Sequence, residues 1–341
     1  DHTLKVGIRY HEDDVRRQHQ TRSYLMRSGA MLSDGLARPF KTNNYAHTKA
    51  YALSISDDIT WSDWTLNLGV RHEDIEGSVD NKLLDVITEN SQSITAPGLG
   101  LHRQLTEKMS LLAGVYVGFS PSGPGKSGAE SEESVNIEYG VRYDDGQFSG
   151  EIIAFESDYD NLLGRCRASD SDCQVGQEFS GGNVEVSGVE VFGQFQRSLS
   201  GGVILASQLN YTFSESKFKG AFFSQFSQWG LVEKGDELPY IPRHAGRWQV
   251  GLETDIWAID VALKYQHGMR EVPGSGQIAD DLHTDNLTTL DASLTWFVNE
   301  QMDLRLLTRN LTDETAIVSH RPYGARPNFP RTLMAQMKYR F

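Results

Sequence analysis

The 341-residue chain carries 46 acidic and 32 basic residues, and its formal net charge of −14 disfavours nucleic acid as a partner. Hydrophobic residues make up 38% of the chain, which has 32 Gly and no apolar run long enough for a transmembrane helix. The composition therefore excludes a protein that spans a membrane with helices.

Alternation of apolar and polar side chains with a period of two predicts strands from one end of the chain to the other. The first strand starts at once, with Leu4, Val6 and Ile8 opposing Lys5 and Arg9. Because it begins without an initiator Met or a signal peptide, the sequence is expected to be a fragment of a longer protein. We predict fourteen strands, at 2–18, 44–58, 62–77, 92–105, 109–119, 132–144, 147–158, 182–198, 201–216, 239–255, 257–272, 285–298, 300–311 and 328–341.

The connections between these strands alternate between short and long. Tight turns are predicted at Thr60-Trp61, Thr106-Glu107, Asp145-Gly146, Leu199-Ser200, Asp255-Ile256 and Asn299-Glu300. Long connections are predicted at 19–43, 78–91, 120–131, 159–181, 217–238, 273–284 and 312–327. A soluble β-sandwich shows the same period within its strands, but this sorting is typical of outer-membrane barrels, which have short periplasmic turns and long extracellular loops. We therefore predict an all-β fold, a transmembrane antiparallel β-barrel.

In a barrel, one face of every strand meets lipid and the other lines the lumen. Nine polar residues are predicted to point inward: Glu138, Arg142, Glu190, Gln194, Gln249, Glu253, Asp291, Arg305 and Lys338. Eight aromatic residues near strand ends are predicted to form two interfacial girdles: Trp61, Trp64, Phe119, Phe148, Tyr211, Phe213, Trp257 and Tyr339.

The two cysteines, Cys166 and Cys173, close a short Ser- and Asp-rich segment. This context predicts a disulfide-stapled loop outside the cytosol, with Cα atoms about 4.4–6.8 Å apart. No further ligands lie nearby to make a metal site, and the His residues lack metal-ligand spacing. No Ser/His/Asp trio has a motif context, so we expect no enzyme activity and no cofactor.

The end of the chain contains four short motifs in a fixed order: Asn310-Leu311-Thr312-Asp313, Arg321-Pro322-Tyr323-Gly324-Ala325-Arg326-Pro327, Pro330-Arg331 and the final Tyr339-Arg340-Phe341. With these motifs, it resembles the end of a TonB-dependent outer-membrane receptor. Three earlier segments are similar to strand and hairpin motifs of the same family: Glu138-Tyr139-Gly140-Val141-Arg142-Tyr143, Asp158-Tyr159-Asp160-Asn161 and Gly188-Val189-Glu190. The stretch from Tyr159 to Glu190 looks most like receptors for ferric dicitrate and related ferric siderophores.

The resemblance implies a function and shows what this sequence lacks. Such receptors lie in the bacterial outer membrane, among lipid and lipopolysaccharide, and have 22-stranded barrels filled by an N-terminal plug that contacts TonB. Neither plug nor TonB box is present, so residues 1–341 are expected to be the C-terminal part of a barrel. The implied function is TonB-dependent uptake of a ferric siderophore or a ferric citrate-like chelate. Two alternatives are a passive porin-like channel and a barrel enzyme of the phospholipase kind.

Arginine residues in or beside two long connections are candidates for binding an anionic chelate, because guanidinium groups recognise carboxylates bidentately. The candidates are Arg16, Arg17, Arg22, Arg27 and Arg38 at the first connection, and Arg321 and Arg326 at the last. The alternative is that they pair with lipopolysaccharide phosphates or neighbouring acids. Aromatic residues in 217–238 could close over a siderophore, but packing against a neighbouring loop or the plug is the better interpretation.

A fragment of a barrel leaves two strands without a neighbour. We therefore predict an open sheet with 2–18 and 328–341 as opposite edges, and with connections 19–43, 217–238 and 312–327 at one end.

Overall fold

The computed structural model describes residues 1–126, 130–166, 173, 177–226, 228–278, 282–321 and 324–341. Within these residues there are 22 strands and one 3₁₀ turn at Ser200–Gly202. The strands are β1 (His2–Gln20), β2 (Tyr24–Arg27), β3 (Ala30–Ser33), β4 (Phe40–Trp61), β5 (Trp64–Asn81), β6 (Val86–Gln104), β7 (Met109–Ser120), β8 (Glu132–Asp144), β9 (Phe148–Asp160), β10 (Leu163–Arg165), β11 (Glu178–Ser180), β12 (Val184–Ser198), β13 (Ile204–Phe218), β14 (Phe222–Phe223), β15 (Leu231–Val232), β16 (His244–Glu253), β17 (Trp257–Gln266), β18 (Leu287–Asn299), β19 (Met302–Arg309), β20 (Ile317–Ser319), β21 (Arg326–Pro327) and β22 (Thr332–Tyr339).

Fourteen of these strands form one antiparallel sheet in the order β1-β4-β5-β6-β7-β8-β9-β12-β13-β16-β17-β18-β19-β22. Every strand pairs with the next sheet strand along the chain, which confirms the predicted fourteen-strand meander. The other eight strands form four small hairpins within the long connections. No helix among the described residues is long and apolar enough to cross a membrane.

The predicted bounds of the connection between β5 and β6 were wrong. The connection predicted at 78–91 is only residues 82–85, because β5 runs on to Asn81 and β6 begins at Val86. The Asn81 side chain accepts the N–H groups of Leu83 and Leu84 to close this turn. The ends of β5 and β6 beside this turn have no apolar face, so the sequence did not indicate strands there.

The strands predicted at 239–255 and 257–272 are shorter than expected. The first begins only at His244, and the second already ends at Gln266. Pro239 and Pro242 have no N–H to donate to a ladder, so the strand cannot start before them. The residues lost from the two strands belong instead to connections at the long-loop end.

The register gives the sheet one largely apolar face, and its charged exceptions include Asp57 and Arg103 toward the short turns. Cross-strand partners lie on the same face, and the pairings place all nine predicted lumen residues on a single face. Ion pairs on this face include Arg142 with Glu151 at 2.8 Å and Lys264 with Asp291 at 2.5 Å. All eight predicted girdle aromatics lie on the opposite, apolar face. That face is the one that suits lipid.

The sheet is open in the described residues. β1 pairs only with β4, and β22 pairs only with β19. The predicted edges 2–18 and 328–341 are therefore confirmed. Because successive strands are antiparallel, the short turns after β4, β6, β8, β12, β16 and β18 lie at one end, and the connections 21–39, 82–85, 121–131, 161–183, 219–243, 267–286 and 310–331 lie at the other. We call this second end the long-loop end.

The assignment of faces can be tested with two neighbouring residues of β13. Leu209 lies on the apolar face and Gln208, the preceding residue, on the polar face. Replacing Leu209 with Arg is expected to lower the free energy of unfolding in a bilayer by about 2–4 kcal/mol, because a charged side chain then meets lipid. Gln208→Arg should change it by less than about 1 kcal/mol. Urea titration of protein refolded into lipid vesicles measures both, and equal effects would contradict the register.

Candidate functional site at the long-loop end

Most connections at the long-loop end are bonded to their neighbours. The segment 121–126 is held on β6 by the Gln92 side chain, which accepts from the backbone N–H of Ser122 at 2.9 Å and donates to its carbonyl at 3.1 Å. Glu178 of the next connection accepts the N–H of Gly123 at 3.4 Å. These bonds join the second long connection to the third.

An aromatic cluster joins connections 161–183 and 219–243. Its buried members are Val184, Phe218, Phe226, Trp229 and Val232. The Trp229 ring lies edge-on to Phe226 with centroids 5.2 Å apart. A side chain at Gly181 would approach Trp229 to 2.5 Å, so only glycine lets the indole lie this close to the other connection. Four aromatic residues of 217–238 therefore pack in a cluster with a neighbouring loop, namely Phe218, Phe222, Phe226 and Trp229, whereas Phe223 is exposed.

Connection 161–183 also contains the disulfide. Cys166 is bonded to Cys173, with Cα atoms 6.1 Å apart, inside the predicted range. Cys166 also donates its backbone N–H to the carbonyl of Gln177 at 2.8 Å. Residues 167–172 of the stapled segment lie outside the described residues.

Buried charged groups join the next connections. Arg270, with a side chain only 8% exposed, donates to Glu237 at 2.8 Å and also to the carbonyl of Gly276. Arg243 reaches the other oxygen of Glu237 at 2.8 Å. A carboxylate shared between two arginines fixes connection 219–243 against 267–286. A cavity of about 370 Å³ lies beside these groups.

Glu271 connects three loops through its carboxylate, and its side chain is 3% exposed. One oxygen accepts the backbone N–H of His320 at 2.7 Å and the hydroxyl of Tyr240 at 3.0 Å. The other lies 2.6 Å from Nδ1 of the His320 ring. Burial alone would raise the pKa of the Glu271 carboxyl, but the hydrogen bonds from His320 and Tyr240 outweigh it and hold the pKa below its ordinary value.

The predicted arginines of the first connection are exposed and spread along it. Arg16 and Arg17 lie in β1. The register places Arg16 on the face that is apolar elsewhere in the sheet, and Arg17 on the lumen face. Arg22 lies over the ring of Tyr24 at 5.3 Å. Arg27 and Arg38 make no ion pair within the described residues. The structure therefore does not gather the five into one compact site.

The predicted arginines of the last connection lie at the opposite edge of the sheet. Arg326 is exposed in β21, and the backbone N–H of Arg321 donates to the hydroxyl of Ser319 at 3.0 Å. Pro322 and Tyr323 of the same motif lie outside the described residues. The open sheet thus separates the two predicted clusters.

Asn310 explains part of the C-terminal motif. It is 3% exposed, has a positive φ of 51° and binds both backbone groups of Glu314, at 2.9 and 2.8 Å. Its amide also donates to the carbonyl of Phe329 at 3.1 Å. The motif residue fixes the path of the connection.

Replacing Asn310 with Ala should lower the free energy of unfolding by about 2–4 kcal/mol, because three hydrogen bonds to the backbone of Glu314 and Phe329 are lost, each worth about 0.5–1.5 kcal/mol. Asn328→Ala, a neighbouring change at a more accessible amide, should cost less than about half as much. Thermal unfolding in detergent micelles measures both. Equal losses would show that burial of Asn310 does not set the effect.

Arg270, Glu271, Tyr240 and His320 were missed by the sequence analysis. Arg270 and Glu271 fell inside a predicted strand, 257–272, that ends at Gln266. The Gly268 that follows the strand was the available signal, since glycine weakens a strand interior. No group of three or more His, Cys, Asp or Glu residues in the described chain is placed to hold a metal ion.

Comparison with known proteins gives a family and a set of similar folds. Residues 1–311 match the model of a family described as TonB dependent receptor-like, beta-barrel. The unliganded ferric citrate transporter FecA is 20% identical, with a TM-score of 0.73 over 100% of this chain and 51% of that one. The ferric-catecholate import receptor Fiu from E. coli K12, in its closed form, is 18% identical, with a TM-score of 0.76 over 100% and 52%.

A copper transporter, OprC, has the same fold at 13% identity, with a TM-score of 0.63 over 100% of this chain and 55% of its own. The chain thus spans about half the length of the receptors it matches. At these identities the similarity shows the fold and leaves the cargo open.

Proposed function

Because this chain belongs to the TonB dependent receptor-like β-barrel family, we propose that the protein takes up a ferric siderophore or a ferric citrate-like chelate. TonB-dependent receptors reside in the bacterial outer membrane and are transporters rather than enzymes. On this proposal, residues 1–341 supply the C-terminal part of the barrel, and its apolar face contacts lipid and lipopolysaccharide.

The charge of the first long connection carries the proposal. Residues 16–41 contain five Arg and one Lys but only one acid, Asp34, in a chain of net charge −14. The side chains are exposed at the long-loop end, where cargo arrives from outside in a receptor of this family. A basic segment on an acidic protein attracts an anion such as a carboxylate- or catecholate-bound ferric ion.

Transport would then follow capture. We propose that the chelate binds at the long-loop end and that the TonB system drives its release into the barrel through a plug domain. The described residues contribute the wall of that path. Its lumen face bears paired charges such as Arg142 with Glu151.

The proposed arginines differ in how directly they can contact the chelate. Arg17 faces the lumen side, and Arg22, Arg27 and Arg38 lie in the connection itself. Arg16 faces outward, so it contributes long-range attraction only. Arg321 and Arg326 form a second proposed contact at the far edge.

The test uses the full-length protein in an iron-starved strain without other ferric receptors. Arg22, Arg27 and Arg38 are replaced together by Glu. We expect the affinity for radiolabelled ferric citrate, or for an anionic catecholate chelate, to fall at least about a hundredfold, because each charge-assisted bond is worth about 1.5–3 kcal/mol. Arg16→Glu, the matched control, should change it less than about threefold.

Several outcomes would contradict the proposal. Uptake of copper but of no ferric chelate by the unaltered protein would assign it another cargo. Ungated flux of small sugars would favour the passive channel. Equal effects of the triple replacement and of Arg16→Glu would leave ferric uptake standing but remove the first connection from the site.

A further inference from the structure

A groove of about 410 Å³ lies on the apolar face of the sheet, on strands β8, β9, β12, β13 and β16. Gly150 and Gly193 form its floor, because they are direct cross-strand partners and neither has a side chain on this face. Phe148, Ile152 and Trp248 form walls around them, and all three are more than 40% exposed. Two glycines side by side, with large side chains around them, make the groove a local gap in this face.

The two glycines differ in how strictly the site needs them. A Cβ at Gly150 would meet the carbonyl oxygen of Phe192 at 2.9 Å, so this position cannot take a side chain without a backbone shift. A Cβ at Gly193 would lie 3.6 Å from the Phe148 ring, an ordinary contact. A larger side chain at Gly193 would therefore occupy the groove without straining the strand.

One end of the groove approaches the short turns, where polar groups of both signs are exposed. The Tyr143 hydroxyl donates to Asp145 at 3.2 Å, in the turn between β8 and β9. The neighbouring turn brings Lys108 alongside, since its carbonyl accepts the N–H of Asp144 at 2.8 Å. A cation and carboxylates next to each other complement a headgroup that contains both a phosphate and an ammonium.

We propose that this groove is a binding site for one phospholipid of the phosphatidylethanolamine type. An acyl chain lies over Gly150 and Gly193 between Phe148 and Trp248. The phosphate faces Lys108, and the ammonium faces Asp145. Because the groove lies on the short-turn side of the apolar face, the lipid belongs to the leaflet that meets the short turns.

A larger side chain in the groove should exclude the lipid. Gly193→Leu places a side chain in the groove, and Gly246→Leu places the same side chain on the apolar face outside it, where a Cβ meets nothing closer than 3.5 Å. Native mass spectrometry of full-length protein, purified with mild detergent and supplied with phosphatidylethanolamine, counts the lipids retained. We expect one tightly held lipid in the unaltered and Gly246→Leu proteins, and about tenfold less occupancy with Gly193→Leu, the effect of excluding roughly two methylene groups.

A second variant keeps the test valid if Gly193→Leu folds poorly. Trp248→Ala removes a wall, together with the hydrogen bond from its indole N–H to the Ser207 hydroxyl at 3.0 Å, and should lower occupancy by a similar factor. Lys108→Ala and replacement of the lipid by phosphatidylglycerol should each reduce retention as well. Equal lipid retention by all proteins would overturn the proposal. So would a groove variant that dissociates a dimer of the protein but retains the lipid, because the groove would then contact a second copy of the protein.

Discussion

Replacing Trp229 with Ala is expected to lower the free energy of unfolding of the long-loop end by about 3–5 kcal/mol, the usual cost of removing a buried Trp. The indole contacts Phe226 and Phe222, and it lies against Gly164 and Gly181 of the other connection. Without it, a space the size of an indole is left empty beside Phe226, which stacks on Phe179 of the other connection. Connections 161–183 and 219–243 should then separate while the sheet stays folded.

Limited proteolysis and hydrogen exchange measure this effect. Backbone amides of 177–183 and 228–238 should exchange faster, whereas those of β17 and β18 should not change. Phe223→Ala is the matched control, because this ring is in the same connection but 74% exposed. Unchanged exchange in the Trp229 variant would show that backbone bonds, such as that from the N–H of Lys219 to the carbonyl of Asn183 at 2.9 Å, hold the two connections without the indole.

Replacing Glu271 with Leu should cost about 3–5 kcal/mol, since it removes one partner of a buried, hydrogen-bonded charge. The hydroxyl of Tyr240 and the N–H and ring of His320 would lose their acceptor. Three connections are joined at this carboxylate, so the loss should appear in all of them. Hydrogen exchange of 239–243, 267–278 and 317–321 measures it, and Glu300→Ala, in an exposed turn, is the control.

The same carboxylate gives a pH dependence. The pKa of Glu271 is lower in the folded protein than in the unfolded chain. Its contribution to stability is therefore present above the unfolded value of about 4.3 and is lost as the pH falls through the folded value. Loop protection in the unaltered protein should drop at acidic pH, and the drop should be smaller in Glu271→Leu. A drop of equal size in both proteins would assign it to other groups.

Much of the sheet could be predicted from sequence because a membrane strand has to keep one face free of charge. In β17 and β18 that face is unbroken, from Trp257 to Tyr265 and from Leu290 to Val298, so the period of two is clear. The register follows, because a slip by one residue would turn every apolar side chain to the wrong face.

The long-loop end could be predicted only in part. Outside the membrane the strands need no apolar face, which is why the extension of β5 to Asn81 was taken for a loop. The partners of Glu271 come from positions 31 and 49 residues away, and no local pattern indicates such pairs. Charge alone led to the arginine candidates, and charge does not tell which face of a strand carries Arg16 or Arg17.

The hairpin of β2 and β3 differs from its neighbours. Ser28 and Gly29 form its turn with φ of 49° and 78°, no atom lies within 4 Å of a Cβ built at Gly29, and within the described residues no hydrogen bond ties connection 21–39 to another connection. A peptide tag inserted after Gly29 would therefore leave the rest of the protein undisturbed. Such a tag would allow fluorescent labelling of the protein on living cells, with cysteine 166 and cysteine 173 still joined and the other loops in place.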